Sequence, residues 1–253
     1  MKPATREIRA GASRPFSWPR LDAARCRAKH PRMRSIDADT CRALPAPPPL
    51  AGDEVHVWVE DTGEARPRAV RDAARALLER LLRGYAGTAV VPAIASGERG
   101  KPFVPSLPWL DFNLSHAGSL VALAFARNQP LGIDIEPLER RIGVDGIAAR
   151  FFGARETAAL GRVEASLRQA AFLRLWTHKE AVLKALGDGL GFGLDRIEFE
   201  LKDDGRIERL LDVGAEAGQP VEWQLRSFEP KTGVVGCVAW RGGPRSLQHL
   251  RLS

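Results

Sequence analysis

The sequence lacks most features of a secreted or membrane-embedded protein. Its three cysteines, Cys26, Cys41 and Cys237, form neither a CxxC pair nor a disulfide framework. No apolar run approaches the roughly 18–20 residues that a membrane-spanning helix needs. The basic N-terminus has no apolar stretch of the kind that marks a secretory signal. These absences predict a cytoplasmic protein that does not associate with membranes.

The sequence also has no charge surplus outside its first fifth. The net charge is +7, and residues 1–50 carry 11 Lys and Arg against 4 Asp and Glu. The other residues carry 27 of each sign and are neutral. A basic arm can hold phosphate backbones, but a neutral body has no electrostatic footprint for nucleic acid. We therefore expect no nucleic-acid partner, although a binding protein that acts through its arm stays an alternative.

Three segments follow from composition and hydrophobic pattern. Residues 1–52 are rich in Arg, Ala and Pro, show no hydrophobic period, and are predicted to be a disordered extension. After it, the predicted elements follow the order strand–helix–strands and then strand–helices–strands. This order predicts an α+β fold of two similar α/β halves, at residues 53–136 and 137–253. The segments SLVALAFA (Ser119–Ala126) and GVVGCVAW (Gly233–Trp240) occupy matching places in the two halves.

Individual elements follow from periods of 2 and 3.6 residues. The predicted strands are Val55–Val59, Phe112–Leu114, Leu120–Ala126, Leu131–Glu136, Ile197–Lys202, Val221–Phe228 and Val234–Trp240. The predicted helices are Arg68–Arg83, Ile147–Phe152, Glu156–Gly161 and Leu167–Leu186. Gly84 is expected to end the first of these helices.

Two carboxylates alternate with isoleucines in the strand LGIDIEP, Leu131–Pro137. With a period of two, Ile133 and Ile135 face a core, while Asp134 and Glu136 share the other face about 6–7 Å apart. A solvated strand face would explain this pattern. A site for a hard cation explains it as well, because Mg²⁺ binds one or two protein carboxylates together with substrate phosphates.

The long predicted helix offers a third acid and two lysines. Glu180 and Lys184 border its apolar stripe, and Lys179 lies within the stripe. Glu180 and Lys184 are four residues apart and could simply pair on the helix surface. Lys179 could extend its aliphatic stem along the stripe towards water. The functional alternative is an acid directed at a metal ion, with two ammonium groups held over phosphates.

Two further stretches place polar groups at turns. Ser115 and His116 lie where a strand meets a glycine turn in FNLSHAG, and Lys101 is the cation of the extended segment GKP. Turn and capping roles would explain Ser115 and His116. A serine hydrolase is not predicted, because no GxSxG elbow surrounds Ser115 and adjacent side chains on a strand diverge.

Taken together and in this order, these motifs resemble the Sfp-type 4′-phosphopantetheinyl transferases. The matching pieces are GKP at Gly100–Pro102, FNLSHAG at Phe112–Gly118, GIDIE at Gly132–Glu136, RFF at Arg150–Phe152 with Glu156, and WTHKEAVLKALGDGL at Trp176–Leu190. They span roughly residues 55–240. Each piece alone would be only suggestive, but five pieces in the right order and spacing are highly specific.

The resemblance implies two α+β halves related by pseudo-twofold symmetry, with coenzyme A bound between them. It implies that Asp134, Glu136 and Glu180 hold Mg²⁺ on the pyrophosphate of coenzyme A. The enzyme would move the phosphopantetheine arm to a serine of an acyl or peptidyl carrier protein and release 3′,5′-ADP. The family's usual state implies a monomer.

The resemblance also implies roles for the remaining polar residues. Lys179 and Lys184 would contact the pyrophosphate, and Lys101 would lie near the nucleotide. Ser115 and His116 would lie by coenzyme A phosphates, with His116 nearest the 3′-phosphate. In-line attack on a pyrophosphate needs charge neutralisation and a proton acceptor.

Glu180, directly or through a metal-bound water, is the candidate base for the serine proton. Lys184 is the candidate group that stabilises or protonates the leaving phosphate.

One departure from the family pattern concerns the 3′-phosphate. Related proteins carry a longer basic segment between the first strand and first helix, whereas here only Glu60–Pro67 intervenes. Arg66, Arg68 and Arg71 are possible substitutes without a firm assignment. A different Mg²⁺-dependent phosphotransferase, acting on another nucleotide, is the alternative that this departure leaves open.

Overall fold

The structure is a computed structural model that describes residues 41–64, 66–187 and 189–253. Its helices are α1 (Pro67–Ala86), α2 (Val144–Phe151), α3 (Ala154–Arg162) and α4 (Ala165–Leu186). Its strands are β1 (Arg42–Leu44), β2 (Glu54–Asp61), β3 (Ala95–Ser96), β4 (Pro102–Phe103), β5 (Leu110–Ala117), β6 (Leu120–Arg127), β7 (Leu131–Pro137), β8 (Glu198–Leu201), β9 (Ile207–Asp212), β10 (Trp223–Lys231), β11 (Val234–Arg241) and β12 (Ser246–Leu252). The predicted α+β class is confirmed, and every predicted helix and strand is present within a few residues of its expected bounds.

Two larger sheets repeat one topology. In the first, a strand (β2), a helix (α1) and a hairpin (β5–β6) follow in sequence, and β2 pairs antiparallel with β6. In the second, a strand (β7), helices ending in α4 and a hairpin (β10–β11) follow, and β7 pairs antiparallel with β11. The predicted correspondence between the segments around β6 and β11 is therefore confirmed, because both are the middle strand of their unit.

The strand pairing also assigns β7 to a sheet. The predicted boundary between residues 136 and 137 leaves β7 with the N-terminal half, whereas β7 pairs with β11 of the second sheet. At the other end of the chain, β12 joins the first sheet between β1 and β2. Strand pairing therefore does not divide the chain at residues 136 and 137, and the division into 53–136 and 137–253 stays a prediction.

The prediction that residues 1–52 are disordered is wrong for its last part, and residues 1–40 lie outside the described residues. β1 pairs in parallel with β12, from Arg42 opposite Leu250 to Leu44 opposite Leu252. Leu50 is buried in the first core. The sequence could not show this because the partner strand comes from the opposite end of the chain.

The first helix ends later than predicted. α1 continues through Gly84 to Ala86, and Gly87 ends it with the left-handed φ of 63°. A Cβ atom on Gly84 would lie 2.4 Å from the Pro47 ring. Gly84 therefore makes room for the proline segment instead of ending the helix.

The core has three layers of side chains. α1 packs on one face of the first sheet, for example through Leu81 against Trp58. The two sheets pack on each other through Val57, Ile133 and Trp240. α2, α3 and α4 cover the other face of the second sheet. Among the described residues, the helices do not combine the length and apolarity that crossing a membrane requires.

Candidate functional site

The site begins where β7 lies against α4 without an intervening side chain. A Cβ atom on Gly132 would lie 2.1 Å from the carbonyl oxygen of Ala181 and 2.4 Å from the amide nitrogen of Ala185. Only glycine fits between these two backbones. Because side chains on a strand alternate, Asp134 and Glu136 share the face of Gly132 towards α4, while Ile133 and Ile135 enter the core between the sheets.

Asp134 is the most enclosed of the three predicted metal ligands, with 6% of its surface exposed. Its Oδ1 accepts hydrogen bonds from Ser115 Oγ at 2.8 Å and from Lys184 Nζ at 2.7 Å. Its Oδ2 is buried and has no hydrogen-bond partner in the described part of the chain. A buried carboxylate oxygen without a partner is costly, so this atom is an acceptor open to a cation or a water molecule.

Glu136 and Glu180 complete the acidic group. Burial raises the pKa of Glu136, and the negative charge of Asp134 raises it further against the opposing effect of Arg140. Burial likewise raises the pKa of Glu180, with further increases from the charges of Asp134 and Glu136. The fold therefore brings all three carboxylates within electrostatic range of one another.

These three side chains are not arranged around a common point. Within the described residues, no group of three or more His, Cys, Asp and Glu side chains is placed to hold a metal ion. Glu136 Oε1 instead accepts a hydrogen bond from Arg140 Nη1 at 2.6 Å, and Asp134 is paired with Lys184. The donor set still fits Mg²⁺, because carboxylate oxygens are its preferred ligands and Asp134 Oδ2 has no other partner among the described residues.

Lys184 lies beside Asp134 on the β7 side of α4. Its ammonium donates to Asp134 and to the Ile133 carbonyl at 3.1 Å, and about a quarter of its side chain, 27%, is exposed. The helix therefore holds a cation beside the carboxylates with access to solvent. The ion pair of Glu180 with Lys184 along the helix is not the main contact of Lys184, because its ammonium donates hydrogen bonds to β7.

The prediction that Lys179 contacts a pyrophosphate does not fit the structure. Lys179 and Glu156 are both fully buried, and Lys179 Nζ lies 2.5 Å from Glu156 Oε2. The same ammonium donates to the Leu194 and Ile197 carbonyls. Burial lowers the pKa of Lys179 and raises that of Glu156, while their mutual attraction opposes both changes. Lys179 therefore ties α4 to α3 and to the start of β8.

Ser115 and His116 point in opposite directions, as expected for neighbours on a strand. Ser115 is buried, donates to Asp134 and accepts a hydrogen bond from the Ile135 amide at 3.4 Å. His116 is exposed. Ser115 thus orients the aspartate in this structure, and only His116 faces outwards.

Asn113 belongs to the same network, and the sequence reasoning missed it. Its buried Oδ1 accepts a hydrogen bond from the Ile133 amide at 3.0 Å. Asn113 and Ser115 therefore join the edge of the first sheet to β7 through side chains. The two-residue spacing of Asn113 and Ser115 on one strand face was the signal that could have revealed this role.

Lys101 lies at one end of the strand–helix contact. Its ammonium donates to the Leu131 carbonyl at 3.0 Å and to the Ala185 carbonyl at 3.4 Å. Burial lowers its pKa to about 8, against the opposing charge of Asp111. Lys101, Arg99, Phe112 and Leu186 help to line a cleft of about 500 Å³ between the two units. The cleft therefore lies at the end of the β7–α4 contact that Lys101 joins, and Asp134, Glu136 and Glu180 do not line it.

Comparison with known proteins finds relatives that are phosphopantetheinyl transferases. Residues 130–238 match the family model described as the 4′-phosphopantetheinyl transferase superfamily. A 4′-phosphopantetheinyl transferase of Bacillus subtilis is 36% identical over 180 residues, which are 67% of this chain and 79% of that protein. The transferase HetI of Nostoc sp. strain PCC 7120 is 34% identical over 232 residues, covering 79% of this chain and 93% of HetI.

Other matches are less complete. The transferase Sfp of Bacillus subtilis strain 168 is 40% identical over 150 residues, and the aligned part is 64% of Sfp, just under two thirds. A solved holo-ACP-synthase from Plasmodium yoelii shares 16% identity over 45% of this chain and 94% of that chain. Its TM-score of 0.32 is too low to support a statement about this fold.

Replacing Gly132 by alanine is expected to separate β7 from α4. The new Cβ would overlap backbone atoms that cannot rotate away, so we expect a loss of about 3 kcal/mol or more in the free energy of unfolding. Gly146→Ala in α2 is the control, because its new methyl group would have nothing within 4 Å and should be neutral or stabilising. Urea denaturation of both variants measures the difference, and equal stability would contradict the close contact.

Replacing Lys179 by methionine is expected to cost stability. The change leaves the Glu156 carboxylate buried without its cation, which typically costs about 3–5 kcal/mol. Adding Glu156→Gln should recover part of the loss, since no uncompensated charge then remains. Lys202→Met, at a half-exposed ion pair, should cost less than about 1 kcal/mol in urea denaturation. A Lys179→Met variant as stable as the parent would show that the lysine is free to serve a ligand instead.

Proposed function

We propose that this chain, which belongs to the 4′-phosphopantetheinyl transferase family, transfers the phosphopantetheine arm of coenzyme A to a serine of an acyl or peptidyl carrier protein. Membership confirms the resemblance seen in five sequence motifs, and the relatives are named as transferases. The observation that supports the proposal best is the unpartnered Oδ2 of Asp134, buried beside Lys184 on the face shared with Glu136 in the described part of the chain.

Asp134, Glu136 and Glu180 would hold Mg²⁺. Three carboxylates that lie within electrostatic range of one another are a suitable donor set, because a divalent cation would offset their repulsion. When bound, the ion would neutralise charge on the pyrophosphate of coenzyme A and orient it. Glu136 and Glu180 would need to turn towards Asp134, and both side chains are partly exposed.

Lys184 would serve the departing group. Its ammonium rests on Asp134 and on the Ile133 carbonyl, and its partial exposure allows it to turn to an incoming phosphate. As the bond between phosphorus and the bridging oxygen breaks, negative charge develops on the 3′,5′-ADP that leaves. A mobile ammonium beside that oxygen stabilises the charge or supplies a proton.

Glu180 would act as the base. The serine oxygen of the carrier forms a new bond to the phosphorus of the phosphopantetheine arm, and Glu180 accepts the serine proton. A carboxylate can act as a general base when it lies within hydrogen-bond reach of the proton that it accepts. Burial and the neighbouring acids raise the pKa of Glu180 in the protein without a cation, and a bound Mg²⁺ would oppose this shift.

The cleft and the strand end would hold the rest of coenzyme A. Lys101 lines the cleft and would lie near the nucleotide. The exposed His116 would contact the 3′-phosphate, while Ser115 would act mainly by orienting Asp134. Lys179 has no place in this binding site, since it is enclosed with Glu156. Arg68 and Arg71 are exposed on α1 and stay unassigned.

Several aspects of the proposal rest on the family and on sequence. Coenzyme A and a carrier protein are the partners that the family implies. A monomer in the cytoplasm, with no nucleic-acid or membrane partner, stays a prediction. A Mg²⁺-dependent phosphotransferase for another nucleotide would use the same acids and would leave carrier proteins unchanged.

Intact-mass measurement of apo carrier proteins, incubated with this protein, coenzyme A and Mg²⁺, tests the proposal. We expect a mass gain of one phosphopantetheine on at least one carrier. Asp134→Ala, Glu180→Gln and Lys184→Met should each lower kcat/KM at least about 100-fold, the usual scale for removing a group that stabilises the transition state. Asp145→Asn, an exposed acid in the first turn of α2, is the matched control and should stay near the parent.

Three further results would contradict the transferase activity or the assigned site. No mass gain on fatty-acid, polyketide and peptide carriers, with the parent protein folded, would refute the transferase proposal. Full activity of Asp134→Ala would refute the assigned site. A binding function that survives Asp134→Ala and Glu180→Ala but is lost when residues 1–40 are removed would favour a binding protein that acts through its basic arm; the deletion stops before β1 and Leu50, which belong to the folded part.

A further inference from the structure

Arg140 makes a contact that the proposed mechanism does not use. After Pro137 ends β7, a turn in which the Arg140 amide donates to the Pro137 carbonyl at 3.1 Å brings the chain back. The guanidinium then meets Glu136, with Nη1 2.6 Å from Oε1. The glutamate side chain is 14% exposed and the arginine side chain 53%. A half-exposed cation thus covers a largely enclosed carboxylate.

The charges of the site show what this contact does. Asp134 is paired with Lys184, and Glu136 is paired with Arg140. Glu180 has no ion pair or hydrogen bond within the described part of the chain, but its pKa responds to the charges of both other acids. Two protein cations therefore partly balance three carboxylates that would otherwise repel one another.

We propose that Arg140 is an internal counter-ion that competes with the divalent cation for Glu136 and thereby weakens metal binding in the absence of coenzyme A. The inference rests on the proposed function, because it concerns the same three carboxylates. Arg140 holds Oε1 of Glu136, and its charge lowers the negative potential that a cation would meet there. An ion that binds this oxygen must therefore displace the guanidinium.

Arg140 and Lys184 differ in what they can do after displacement. Lys184 also donates to the Ile133 carbonyl and has a proposed role at the leaving phosphate. Arg140 has only the Glu136 contact among the described side chains and lies on a segment without helix or strand. A guanidinium stays charged at any pH at which the protein is folded, so only displacement removes its competition. The phosphates of coenzyme A add ligands to the ion and would help to complete that displacement.

Direct binding of Mn²⁺ alone tests the inference. The free Mn²⁺ signal in electron paramagnetic resonance is measured against protein concentration at pH 8, fixed ionic strength and no coenzyme A. Arg140→Gln should lower the dissociation constant about two- to fivefold, as expected when a half-exposed ion pair no longer competes. Arg141→Gln is the control, because it removes the same charge one residue further on and is also exposed. Arg141→Gln should change the dissociation constant for Mn²⁺ by less than half of the change that Arg140→Gln causes.

Three results would overturn the inference. The first is that Arg140→Gln binds Mn²⁺ no more tightly than Arg141→Gln, which would show only an effect of net charge. The second is that Arg140→Gln binds Mn²⁺ more weakly than the parent, which would show that Arg140 holds Glu136 in place for the ion. The third is that neither the parent nor Arg140→Gln binds Mn²⁺ at millimolar concentration. The carrier mass measurement on the parent protein is independent, so a failed Mn²⁺ test is distinguishable from a failed transferase proposal.

Discussion

The backbone contact between β7 and α4 at Gly132 determines the geometry on which the site depends. Because no side chain lies between them, the strand and helix approach closely enough for Lys184 to reach both the Ile133 carbonyl and Asp134. The alternation of the strand then fixes which residues face the helix. Asp134 and Glu136 come from β7, and Glu180 comes from α4. A larger residue at position 132 would move the two sets apart.

Two different kinds of charge pair hold this arrangement. The Lys179–Glu156 pair is fully buried and joins α4 to α3, so its role is to stabilise the fold. The Lys184–Asp134 and Arg140–Glu136 pairs are partly exposed, so they can open when a ligand offers better partners. Adjacent residues on one helix therefore lie in different surroundings: Lys179 is fully buried, and Glu180 is partly exposed within electrostatic range of the carboxylates of β7. Burial, and not residue type, distinguishes the two lysines.

The local features of the fold and site could be predicted from the sequence. The alternation in LGIDIEP correctly predicted that Ile133 and Ile135 enter a core while Asp134 and Glu136 face away from it. The position of Lys179 within an apolar stripe correctly indicated that this lysine is unusual. It did not indicate which residue the lysine contacts, because Glu156 lies on another helix. The contact of Arg42–Leu44 with the C-terminal strand and the bond from Asn113 to β7 were missed for the same reason. Each depends on a partner that is distant in sequence.

The proposed site requires that Asp134, Glu136 and Glu180 bind one divalent cation together. A crystal structure of the protein with Mn²⁺ and coenzyme A tests it most directly, since the anomalous signal of manganese locates the ion without reference to the protein. The account predicts one ion bonded to an oxygen of each of the three carboxylates and to the pyrophosphate, with Arg140 released from Glu136. An ion bound elsewhere, or one that Glu180 does not reach, would contradict it.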